Sequence, residues 1–137
     1  MSDDYNVWYG GAEKDLIAAK LVSDSGVNPE LVAFTASLSA EKFLKSLVFY
    51  KGIAEFRSHD LEAIADKLES AGMIIPDQIR KYCEDLNDYP IKARYLGIDV
   101  TNEMASDAIR CCEGIRDFVR DAISPGNQRV KDSRHEG

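Results

Sequence analysis

His59 stands in the run Arg57–Ser58–His59–Asp60–Leu61 and is the one histidine in a stretch whose pattern reads as structured. An imidazole at such a point suits donation to a phosphate or the movement of a proton. The plainer alternative is a helix-start histidine that bonds local backbone or a neighbour. Glu41, Lys42 and Lys45 lie within one helical stretch. Glu41 to Lys45 is the favourable i,i+4 order for a surface ion pair, worth about 0.3–0.5 kcal/mol. Both lysines share a side with Leu38 and Phe49, however, so they border apolar surface, and a lysine pair beside a cleft suits phosphate. Lys92–Ala93–Arg94–Tyr95 offers a guanidinium fork for phosphate and a ring on which a base can stack. Against that stands an arginine paired with one of the many acids and a tyrosine packed on the fold. The three cysteines, Cys83 alone and Cys111 next to Cys112, show no CxxC spacing and read as small apolar core residues. No metal site and no cofactor are expected.

Helical periodicity dominates the elements that must position these groups, and no run of β-branched alternation appears. A first helix is predicted from Tyr5 to Val22, weakened by Gly10–Gly11 and ended by Ser23–Asp24–Ser25–Gly26. A second starts at Asn28 as cap and Pro29 as first residue, and runs to about Tyr50 before Gly52. It is apolar on two faces: Val32, Ala36, Ala40, Phe43 and Leu47 on one, Leu31, Phe34, Leu38 and Phe49 on another. Such a helix belongs in the centre of a bundle or at an oligomer interface, and the pattern here suits both. A third helix is predicted from a cap at Ser58 to Gly72, and a fourth from Asp77 to about Asn87. A twelve-residue link, Tyr89–Val100, follows. A last helix is capped by Thr101 and broken by Pro125–Gly126. The expectation is an all-α, up-and-down bundle of four to five helices over residues 1–124, then a polar, flexible tail over 125–137.

The chain has 137 residues, 17 Lys and Arg against 24 Asp and Glu, and a net charge of −7. That length buries a core without staples, and the balance excludes a generally basic nucleic-acid coat protein. The tail carries +1, from Arg129, Lys131 and Arg134 against Asp132 and Glu136, which leaves −8 on residues 1–124. Any polyanion must therefore be met by a local basic patch. No apolar run is long enough to span a membrane, and the acidic start Met1–Ser2–Asp3–Asp4–Tyr5 lacks the features of a signal peptide. A cytoplasmic location is expected.

In order, the chain shows Trp8, Ala12–Glu13–Lys14–Asp15–Leu16, Phe34, Ala40–Glu41–Lys42–Phe43–Leu44–Lys45, Ser58–His59–Asp60–Leu61 and Tyr89 with Ala93–Arg94–Tyr95. A long last helix with Ala105 and Ala108 follows. This order resembles the HEPN domain family (higher eukaryotes and prokaryotes nucleotide-binding) over roughly residues 5–123. The resemblance implies a four- or five-helix bundle that commonly forms homodimers. It also implies a minimal nucleotidyltransferase as a partner, in many cases within a toxin–antitoxin pair. By position, Glu41, Lys42 and Lys45 match the family's Ala-Glu-Lys-x-x-Lys helix, His59 and Asp60 its His-Asp-Leu helix start, and Arg94 with Tyr95 its Arg-Tyr loop.

Two departures matter. Leu38–Ser39 stand where the family usually has glutamine, and Leu96 where it has proline after Arg-Tyr. Ribonuclease members carry an arginine four to six residues before a histidine in a helix. Residues 1–123 hold no such pair, since Arg57 and His59 are too close; the match by count, Arg129 with His135, lies in the tail. The expected function is a homodimeric module that binds a nucleotide or RNA, a nucleotidyltransferase-fold partner, or both, through Lys42, Lys45, His59, Asp60, Arg94 and Tyr95. The alternatives are a metal-independent ribonuclease toxin using His59 with Arg57 or Arg94, and a pure protein-interaction domain.

Overall fold

The computed structural model describes residues 4–53, 57–95 and 99–123, with side chains for all of these except 90–95. Among them are five helices and no strand: α1 Asp4–Ser25, α2 Pro29–Tyr50, α3 Leu61–Ser70, α4 Asp77–Tyr95 and α5 Asn102–Ile123. The expected all-α bundle is what forms. No described helix is long and apolar enough to cross a membrane.

Helix α2 begins where its sequence says it should. The Asn28 side chain accepts from the Leu31 amide at 3.0 Å, one of the donors a helix start leaves unpaired, and Pro29 follows with no amide to satisfy. At the other end Gly52 adopts φ +70°, a left-handed turn that glycine enters without penalty. This lets the amides of Gly52 and Ile53 bond back to Phe49 and Val48. Between these ends Phe43, Leu44 and Leu47 are fully buried, and α2 packs against all four other helices. It is the central helix of the bundle. Helix α1 runs antiparallel to it: Tyr5 meets Tyr50 edge-on, and the Ser39 hydroxyl donates to the Ala12 carbonyl at 2.7 Å.

Two local expectations are corrected. Helix α3 is capped by Asp60, whose carboxylate accepts from the amides of Glu62 and Ala63. Ser58, the expected cap, instead accepts from the Asp60 amide at 3.1 Å and shapes the approach to the helix. Helix α4 continues through Pro90 to Tyr95, so the expected twelve-residue link is half helix. Proline inside a helix costs about 3 kcal/mol relative to alanine. Tyr89, the residue before Pro90, ties α4 to α5 where its hydroxyl donates to Asp107. Thr101 caps α5 as expected, accepting from the Met104 amide at 3.1 Å. The expected tail, with Arg129 and His135, lies outside the described residues.

Candidate functional site

Antiparallel pairing of α1 with α2 brings Trp8 beside Phe49, their rings stacked with centroids 5.8 Å apart at 16°. One turn earlier on α2 is Lys45, whose Nζ lies 5.5 Å from the Trp8 ring centroid, within the range of a cation–π attraction. The segment leading into α3 then passes the same place. The result is a cavity of about 260 Å³ lined by Trp8, Lys45, Val48, Phe49, Arg57, Ser58 and His59. Two aromatic rings form an apolar wall, and three side chains able to carry positive charge converge from α2 and the pre-α3 segment.

Beneath them lies Glu41. Its Oε2 receives Lys45 Nζ at 3.0 Å and sits 3.0 Å from His59 Nδ1. The Glu41 and Lys45 side chains are only 10% and 12% exposed, so this is not the weak surface pair that the i,i+4 spacing alone suggests. Burial makes the pairing obligatory, because removing either partner strands a desolvated charge on the other. The His59 side chain is 89% exposed, and it meets Glu41 through Nδ1. A carboxylate only accepts, so Nδ1 is the donor in this contact, and a ring that carries one proton then has Nε2 as its acceptor. A carboxylate-oriented, exposed imidazole can take a proton from a substrate or, when protonated, donate to an anion.

The other sequence-derived candidates are placed differently. Lys42 leaves the pocket and pairs with Asp15 across to α1, at 2.8 Å. The Oδ2 of Asp15 is buried without an aligned hydrogen bond, so this ion pair is what compensates its burial. Asp60 is the α3 cap and a backbone fastener. Arg94 and Tyr95 fall in the last turn of α4 rather than in a loop, and their side chains lie outside those described. Lys45 and His59 therefore meet, while their convergence with Arg94 falls outside the described geometry. Trp8 and Phe49 were not among the sequence candidates. Their hydrophobic periodicity pointed to core or interface, and only the α1–α2 pairing makes them one wall.

A second polar cluster joins α4 and α5. Asp85, Asp107 and Cys111 bring potential ligand atoms within 4.8 Å of one another. Asp107, however, already accepts from the Tyr89 hydroxyl, from Arg110 and from the Cys111 thiol. Burial alone would raise the Asp107 carboxyl, but the bonds from Tyr89 and Arg110 outweigh it and hold the group below its usual range. Burial, with the Asp107 charge adding, pushes the Cys111 thiol up to about 12. Asp85 pairs with Lys81 at 3.2 Å, and the Tyr89–Asp107 bond ties the two helices.

A five-helix all-α bundle with an aromatic and cationic pocket at the meeting of α1, α2 and the α3 entry defines the class of this molecule. The chain matches the HEPN domain family model over residues 5–122, and it belongs to that family. Among solved structures, ST0689, described as an archaeal HEPN homologue, matches with a TM-score of 0.74 at 25% identity. That match covers 90% of this chain and all of the other, 100%. TT1696 from Thermus thermophilus matches with a TM-score of 0.78 at 21% identity, over 88% of this chain and 98% of that one; at that identity the likeness speaks for the fold. No curated protein matches the sequence significantly.

Proposed function

We propose that this protein is a nucleotide-binding HEPN module that acts as a homodimer beside a nucleotidyltransferase-fold partner, in the manner of a toxin–antitoxin pair. The observation that carries the nucleotide reading is the convergence of Lys45, Arg57 and His59 on one cavity walled by Trp8 and Phe49. In a chain of net charge −7, that is where a phosphate finds local compensation, and the apolar wall suits the ring of a base. Lys45 keeps Glu41 with one of its three donors and offers the others to the phosphate. His59 stays on Glu41 through Nδ1 and faces the phosphate with its other nitrogen, and Arg57 supplies a fork. Asp60 acts through the backbone, and Arg94 and Tyr95 belong to the proposed set on the strength of their motif.

The oriented His59 favours one second reading, a metal-independent ribonuclease. In it, bare Nε2 takes the 2′-hydroxyl proton as that oxygen attacks the adjacent phosphorus and the 5′-oxygen leaves, protonated by water. One experiment separates the two. Titration of the protein with AMP is expected to show saturable binding, and AMP at 100 times Kd to stabilise the fold by about 2.7 kcal/mol. Lys45→Met is expected to weaken binding by about tenfold or more, the cost of one charge-assisted hydrogen bond. No AMP binding together with His59-dependent cleavage of single-stranded RNA overturns the binding reading in favour of the enzyme. If neither binding nor cleavage is found, the protein is an interaction domain.

A further inference from the structure

The His59 ring is almost bare to solvent, 89% exposed, so no packing selects its rotamer. What aims it at Glu41 is the course of its backbone, and that backbone is fastened on its C-terminal side by a residue outside the pocket. Asn87 projects from α4 toward the start of α3. Its Oδ1 accepts from the Leu61 amide at 2.9 Å. Its Nδ2 donates to Asp60 Oδ1 at 2.8 Å and reaches Glu62 Oε2 at 3.3 Å. The same Asp60 oxygen caps α3 by accepting from the Glu62 and Ala63 amides at 2.9 and 3.2 Å. The Asp60 amide in turn donates to Ser58 Oγ. His59 is therefore the unfastened residue between two fastened neighbours.

We infer that Asn87 is the positioning residue of the candidate site: its side-chain amide latches the Asp60–Leu61 peptide to α4 and thereby holds His59 Nδ1 against Glu41. The chemistry suits an amide. Leu61 offers a donor and Asp60 an acceptor, and a side chain with both an oxygen and an NH₂ group, set apart on one planar amide, answers the two at once. A carboxylate at this position keeps the bond to Leu61 but sets a third negative group against Asp60 and Glu62. An aliphatic side chain answers neither. The surrounding shell that orients a functional imidazole decides which nitrogen carries the proton, and a loose shell leaves a site present but misaligned.

The functional consequence rests on the nucleotide reading above, but the positioning itself does not, so the test has two readouts on the full-length chain. The first is the tautomer of His59 from side-chain nitrogen NMR at about pH 8, where imidazole is neutral, with His135→Gln used to assign the signal. The wild type is expected to show the Nδ1–H form, and Asn87→Asp and Asn87→Ala to shift toward the Nε2–H form of a free imidazole. Both variants are expected to keep the helical circular dichroism of the wild type. The second readout is AMP affinity, expected to fall about tenfold in each variant, while that of His59→Ala does not fall further when combined with Asn87→Ala. A His59 signal in either folded variant that is identical to the wild type's, or a wild-type Nε2–H form, overturns the latch. If Asn87→Asp does not fold, Asn87→Ala decides on the same criterion. Absence of AMP binding in the wild type overturns the nucleotide reading, and the tautomer still decides the role of Asn87.

Discussion

A thiol buried among apolar side chains keeps its proton because the thiolate has lost its water. Cys83, Cys111 and Cys112 are all fully buried, and burial pushes each up to about 12. At pH 8 the thiolate fraction of such a group is about 1 in 10⁴. None of the three is expected to react with a thiol-directed disulfide reagent in the native protein, while all three react in denaturant. The same burial sets an alkaline limit. In the unfolded chain these thiols titrate near their ordinary 9.0, and in the folded one near 12. Between those values the unfolded state has released protons that the native state keeps, so stability is complete below about pH 9 and falls as pH rises toward 12. Tyr89, raised by burial and by its bond to Asp107, acts in the same direction. Urea midpoints measured at neutral pH and above about pH 9 are expected to show that decline. Glu41 stands at the opposite pole of residue behaviour: its buried carboxylate is held by Lys45 and His59, and losing either partner leaves a desolvated charge.

Glycines inside helices separate what an element prefers from what its packing demands. Gly10 in α1 has nothing within 4 Å of where a Cβ would be, whereas a Cβ on Gly114 in α5 comes within 2.8 Å of Tyr82 Cδ2 and nearer still to Cε2. Alanine is the better helix former by about 1 kcal/mol at either position. Gly10→Ala is therefore expected to raise the melting temperature. Gly114→Ala is expected to lower it, because Tyr82, with Arg110 over its ring, must leave the α4–α5 contact. Thermal melts of the two single variants check both signs. At this scale the sequence was readable where the signal is local. The Asn28–Pro29 start, the Gly52 stop and the Thr101 cap all depend on side chains within three residues of the backbone they satisfy. It misled where a distant partner decides, since Asp60 outcompetes Ser58 as the α3 cap with help from Asn87, 27 residues on. Likewise α4 runs through Pro90 to Tyr95. The pocket followed the same rule. Lys45 and His59 were visible as residues, and so was the Glu41–Lys45 spacing, but Trp8 beside Phe49 depends on which faces of α1 and α2 meet, and the Glu41–His59 contact on where the α3 entry passes α2.

At the scale of the whole molecule one surface remains to be accounted for. Around the α1–α2 turn, Leu21 is 66% exposed and Leu31 and Phe34 are 43% and 42% exposed, with Ile17 and Val27 also open to solvent. The second face of α2, expected from sequence to run from Leu31 to Phe49, divides in two. Leu31 and Phe34 are open, while Phe49 is half-buried and stacked on Trp8 as part of the pocket. The apolar surface therefore centres on the first half of α2 and is extended by Ile17 and Leu21 of α1. Single exposed aliphatics are ordinary, but a grouped set on a small chain marks an association surface. A second copy of the chain is its proposed occupant. A protomer of net charge −7 is repelled by its twin, so apolar area must overcome that repulsion, and added salt should help by screening it. Light scattering at tens of micromolar is expected to give about twice the 15.3 kDa chain mass, with the dimer fraction rising with ionic strength. Phe34→Glu puts four like charges, one new and one native Glu30 from each copy, near a two-fold contact and is expected to yield a folded monomer. Because Phe34 lies two turns before Glu41 on the same helix, that monomer also reports on the site. If AMP binding survives in it, the pocket is complete within one chain; if binding vanishes while the fold is intact, the second copy supplies part of it. A wild-type protein that stays monomeric across that concentration and salt range removes the dimer from the proposed function and leaves the pocket standing alone.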